Sequence, residues 1–127
     1  MAILIPVSAG ELIDKLTILR VKAARIDASK LANVRKELEL LEMVAKKELH
    51  GVPQIEALCA ELEAVNAALW DVEEGKRDCE RRKSFGAEFV ALARKVYIEN
   101  DRRAAIKRRV NEAAGSDLVE EKSYQPY

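Results

Sequence analysis

Turn formers are scarce in this sequence: 127 residues include only 5 Gly and 3 Pro. That is too little punctuation for the many short strands of an all-β domain. Aromatic residues make up 5%, so aliphatic seams have to supply most of the buried area. Net charge is absent as well, with 22 Lys+Arg against 22 Asp+Glu. A zero balance makes nucleic acid an unlikely partner, because affinity for phosphates comes from an excess of cations. No run of about 18 apolar residues occurs, so neither a transmembrane helix nor a membrane partner is expected. The apolar start Met1–Val7 lacks a basic flank and is too short for a signal sequence. It reads as part of the fold, and the protein as cytoplasmic.

Cysteine and histidine are nearly missing too. Cys59 and Cys79 fall on one predicted helix, about 30 Å apart at about 1.5 Å per residue. A disulfide needs Cα atoms within about 7 Å, so both read as reduced packing thiols. The lone His50 has no Cys or His partner at ligand spacing, and neither a metal nor another cofactor is expected. A glycine-rich phosphate loop, a Cys-x-x-Cys pair and a nucleophile elbow are all lacking.

What is present is helical. Apolar residues make up 49% and charged residues 35%, a mixture typical of helical bundles and coiled coils, and the length suits a single domain over 1–127. Pro6 keeps residues 2–7 extended. Ser8-Ala-Gly-Glu11 then forms a capping box that starts a first helix near Ala9. Leu12, Leu16, Leu19, Ala23 and Ile26 repeat at steps of four and three. After a step of five the pattern resumes at Leu31, Val34, Leu38, Leu41 and Ala45. Asp27-Ala28-Ser29 fills the slip with cap-forming residues. A helix of about 41 residues would be about 60 Å long, longer than its neighbours. It therefore either folds back near Asp27–Ser29, which makes four helices, or leaves an overhang for another subunit. His50-Gly51 and Pro53 end this segment.

A second helix, from about Gln54 to Arg81, carries the heptad seam Ile55, Leu58, Leu62, Val65, Leu69 and Val72. The charged run Glu73–Lys83 reads as a solvated helix end and turn. Ser84 is placed to cap a third helix with Phe85, Phe89, Leu92 and Val96 on its apolar face and Gly115 at its end. The expected architecture is all-α: an antiparallel bundle of three long helices, a short N-terminal arm and an irregular C-terminal tail. So thin a bundle leaves much apolar surface wet, which predicts a homodimer.

Chemistry has few places to sit. Asn100, Arg103 and Lys107 continue the apolar stripe of Phe89, Leu92 and Val96. Lys15 and Lys22 share a stripe with Glu11 and Ile18 beside the first leucine seam, and Asn66 flanks Leu69. Charges inside a seam are costly unless paired, so these interruptions are expected to meet. The plainer reading is a network that sets helix register. The functional reading is a mixed-charge pocket, with Lys15, Lys22, Arg103 and Lys107 facing an anion and Asn66 and Asn100 orienting it. A disordered tail has little need of Tyr124 and Tyr127, so the tail is expected to pack back on the bundle with Tyr124 as its anchor. Acidic neighbours Glu99, Asp101 and Glu112 offset the basic cluster Arg102–Arg109.

Several stretches resemble a family of small bacterial proteins of unknown function. They are Pro6-Val-Ser-Ala-Gly-Glu-Leu-Ile-Asp-Lys-Leu-Thr-Ile-Leu19, Val65-Asn-Ala-Ala-Leu-Trp70, Leu92-Ala-Arg-Lys-Val-Tyr97, Asn100-Asp-Arg-Arg-Ala104, and Gly115-Ser116 with Glu120-Glu-Lys-Ser-Tyr124. Members of that family also occur joined to tetratricopeptide-repeat arrays, so the resemblance implies a stand-alone domain with no assigned activity. The architecture is also similar to the all-helical chorismate mutases, which clamp two carboxylates with cations. Arg20, Lys22, Arg103 and Lys107 are the corresponding candidates, though no motif maps residue by residue. Two functions follow as expectations. One is a dimerising interaction or ligand-binding module for a protein partner or a small anionic ligand. The other is a small enzyme that acts on a carboxylated metabolite by electrostatic positioning.

Overall fold

The computed structural model describes residues Met1–Tyr127. It holds four helices, α1 (Ala9–Arg25), α2 (Ala28–Glu48), α3 (Ile55–Arg82) and α4 (Ala87–Ala114), and no strand. The all-α class is as expected, but the count of three long helices is corrected to four. The register slip between Ile26 and Leu31 marks the reversal. Ile26 (φ −85°, ψ 158°) and Asp27 (φ −62°, ψ 145°) are both extended, and α2 turns back along α1. No helix is long and apolar enough to cross a membrane.

Local chemistry explains several of the helix ends. The Ser8 hydroxyl accepts from the Glu11 amide at 3.1 Å, which is half of the expected capping box. The other half is absent, because the Glu11 carboxylate accepts from Lys107 Nζ at 2.9 Å. Gly115 closes α4 in the left-handed conformation, φ 63°, where glycine has no Cβ penalty. The start of α4 differs from expectation. Ser84 spends its amide on the carbonyl of Cys79, at 2.9 Å, and so finishes α3 with Lys83. Helix α4 then begins after Gly86.

Helix α1 is the centre of the bundle. It packs against α2, α3 and α4, while α3 and α4 pack on each other. Its buried residues, Gly10, Leu12, Ile13, Asp14, Leu16, Thr17, Leu19 and Val21, point to every side. Helix α2 touches only α1 and has no buried residue. The core joins Leu12 and Ile13 of α1 to Leu58 and Leu62 of α3, Ile106 and Val110 of α4, and Leu49 after α2. Asn66 of α3 meets Asp14 and Thr17, and Arg25 meets Asp71, so α1 runs parallel to α3. Arg103 meets Asp14 and Lys107 meets Glu11, so α4 runs antiparallel to α1. Helices α3 and α4 have 28 residues each against 17 in α1, so their hairpin continues past the end of α1. Gly75 permits close contact there, since a Cβ would lie 3.1 Å from Leu92 Cδ1.

The arm before Ser8 has no regular secondary structure, and Ile3, Leu4 and Ile5 are exposed. The tail after Gly115 has no helix, but it returns along α4, as expected. Its holding points are Glu120, Glu121, Lys122 and Tyr127. Tyr124 is 86% exposed and is not the anchor.

Candidate functional site

The strongest concentration of buried charge surrounds Asp14. Because α1 has neighbours on all sides, Asp14 faces into the bundle at 1% exposure. Arg103 grips it with two nitrogens, Nε at 2.9 Å from Oδ1 and a terminal nitrogen on Oδ2. Asn66 Nδ2 donates to Asp14 Oδ1 and to the Thr17 hydroxyl, both at 3.0 Å. Thr17 in turn donates to the carbonyls of Ile13 and Asp14. No buried side-chain polar atom lacks a partner, as a stable buried network requires.

Lys107 is the second centre, with its side chain 6% exposed. Its Nζ lies 2.9 Å from Glu11, 3.7 Å from Asp14 and 2.8 Å from Glu120. Burial pushes the Asp14 carboxyl up, but hydrogen bonds from Arg103 and Asn66 and the charges of Arg103 and Lys107 outweigh it, holding the group below its ordinary value. Burial likewise disfavours a charged Lys107, yet Glu120, Glu11 and Asp14 raise it above an ordinary lysine. The hydrogen bond to Asp14 does the same for Arg103.

Nearby polar residues lock the end of the bundle. The Gly10 amide donates to Asn111 Oδ1 at 2.6 Å and the Ala9 amide to the Ser116 hydroxyl at 3.3 Å. These bonds satisfy first-turn donors of α1 that have no partner within the helix. A Cβ on Gly10 would lie 2.6 Å from the Lys107 carbonyl oxygen, so glycine lets α4 approach this closely.

Above the network a groove of about 300 Å³ opens between α4 and the tail. Of the seven expected site residues, Asn100, Arg103, Lys107 and Tyr124 line it. Asn66 lies beneath, on the inner side of Asp14. Lys15 is exposed and Lys22 half-buried, and neither enters the network, so their place in the expected pocket is corrected. Of the stripe they share, only Glu11 meets α4, through Lys107. Sequence reasoning missed Asp14, Thr17, Glu120 and Lys122. Asp14 sits between Ile13 and Leu16, a position that reads as polar surface unless α1 is known to be central.

A larger groove of about 580 Å³ lies between α1, the end of α2 and α3, lined by Ile13, Leu16, Leu49 and Ile55. At its edge Arg20 reaches Glu42 at 3.3 Å, Glu63 at 3.7 Å and the Cys59 sulfur at 3.3 Å. Burial pushes the Cys59 thiol up, which disfavours the reactive thiolate. Arg20 is therefore not beside Arg103 and Lys107, and the four cations suggested by the chorismate mutase likeness do not assemble. The basic cluster is also neutralised: Arg102 pairs with Glu99, Arg108 with Glu121 and Arg109 with Glu61. No group of three or more His, Cys, Asp or Glu side chains is placed to hold a metal ion.

The Asp14 site can bind and orient charge. Its carboxyl is held ionised and its cations are held protonated, so none of these groups is poised to move a proton near neutral pH. No curated protein matches the chain, and no solved structure does. A family model matches residues 3–127, and by it the chain belongs to the family of unknown function DUF6165.

Proposed function

We propose that the protein is a dimerising helical module, acting as one domain over residues 1–127, whose α4 groove binds a carboxylate-bearing ligand at Lys107 and Arg103. The carrying observation is the Glu120 carboxylate, 2.8 Å from Lys107 Nζ. Glu11 and Asp14 already flank this lysine from α1, and Glu120 adds a third carboxylate from the irregular tail. The site thus accepts an acid group that no helix supplies. An enzyme working by positioning would use the same cation pair, but Arg20 and Lys22, the further cations that a clamp on two carboxylates would need, lie elsewhere, which favours binding. The paired state of Arg102, Arg108 and Arg109 speaks for a small acid over a nucleic acid.

Thermal melting of the full chain against mono-, di- and tricarboxylates tests this reading. A ligand at 100 times its dissociation constant stabilises by about 2.7 kcal/mol, and Lys107→Met is expected to abolish the gain. Failure of every carboxylate to shift the transition, both in the wild type and in the chain carrying Glu120→Gln with Tyr127→Ala, overturns the proposal.

A further inference from the structure

We infer that the face of α4 covered by the tail, with Lys107 at its acid-binding point, takes an acidic polypeptide segment, and that the chain's own tail holds the place of that segment. This inference rests on the carboxylate-binding reading of the groove. The tail retraces α4 in the opposite direction. Glu120 sits on Lys107, Glu121 on Arg108, and Lys122 on Asp101 and the Asn100 carbonyl. The Tyr127 ring meets Tyr97 edge-on at 5.0 Å. Beyond Ser116 the tail makes no backbone–backbone hydrogen bond. It is held as a bound peptide would be, by side chains at successive points along a helix.

Such a hold is readily exchanged. Most of these ion pairs are solvent-exposed and stabilise weakly, and docking is sustained by tethering, which supplies an effective concentration of about millimolar. A foreign segment has to match an acid for Lys107, an acid for Arg108, a base for Asp101 and an aromatic ring for Tyr97. A free carboxylate meets only the first of these. If the tail covers this face of α4 about nine-tenths of the time, it lowers the apparent affinity of a competitor about tenfold.

The test uses a fluorescent synthetic peptide, Leu118–Tyr127, titrated by anisotropy into the full wild-type chain and into the full chain carrying Glu120→Gln with Tyr127→Ala. The altered residues are in the exposed tail, so the bundle is left intact. The peptide is expected to bind the double variant about tenfold more tightly than wild type. A peptide carrying Glu120→Gln is expected to lose this binding. Equal affinity for the two chains, no binding to either, or indifference to Glu120→Gln in the peptide overturns the inference. If small carboxylates stabilise the double variant while the peptide fails to bind, the groove remains a carboxylate site and only the polypeptide reading falls. If neither binds, both readings fall.

Discussion

Asp14 shows how one side chain can organise three helices. It sits on α1, takes two hydrogen bonds from Arg103 of α4 and one from Asn66 of α3. Removing one partner of a buried ion pair leaves the other charge uncompensated. Asp14→Ala is therefore expected to cost roughly 3–5 kcal/mol in urea unfolding. The pH dependence has a definite sign. The folded Asp14 carboxyl titrates below its ordinary value, so its contribution is complete above about pH 4 and is lost as pH falls through the folded value. The folded Lys107 amine titrates above its ordinary value. Its contribution is complete below about pH 10 and is lost as pH rises further. Melting temperature should therefore fall on both flanks, and Asp14→Asn should flatten the acid limb. Gly10 offers a steric counterpart. A methyl group there would meet the Lys107 carbonyl oxygen at 2.6 Å, so Gly10→Ala should destabilise by about 1–3 kcal/mol through overpacking.

Among the helices, position in the bundle outranks sequence character. Helices α1 and α2 both carry leucines at steps of three and four, but α1 has three neighbours and α2 has one. Leu62 of α3 is fully buried beside α1, whereas Leu40 of α2 is 53% exposed. Leu62→Ala should cost about 2–5 kcal/mol by leaving a cavity, and Leu40→Ala should stay within about 0.5 kcal/mol. Helices with few buried contacts open most easily. Hydrogen exchange should accordingly find the amides of α2 less protected than those of α1 and of α3 up to Asp71. Equal protection would mean that α2 is covered in solution.

Across the whole molecule, apolar surface is left without a partner. Ile3, Leu4 and Ile5 of the arm and Leu40, Met43 and Val44 of α2 are all exposed. Exposed apolar surface of this extent marks an interaction site or an aggregation hazard. The proposed dimer should give a light-scattering mass twice the chain mass of 14.2 kDa. A monomer mass at micromolar concentration would remove the dimer from the proposed function while leaving the α4 groove untouched.

Ser8 and Gly115 show what could be read from the sequence: each acts on its own turn of helix, through a hydroxyl on a nearby amide or a left-handed backbone. The break at Ile26–Asp27 was legible for the same reason, as a five-residue step in a pattern that should advance by three or four, but whether the chain folds back there or runs on as an overhang was not. Arg103 and Lys107 were visible as charges inside an apolar stripe. Which charges answered them was not. Lys15 and Lys22 had the right spacing and face elsewhere, while Asp14, beside them on α1, receives Arg103 and Lys107. Nor did any local signal lead to Glu120, which reaches Lys107 only because the tail turns back along α4. The sequence by itself determined the helical class, most of the helical segments and the need to pair buried charge, because these follow from spacing along a single chain segment. Only tertiary structure decided that α1 lies at the centre and which acid meets which base, because burial and pairing depend on neighbours distant in sequence.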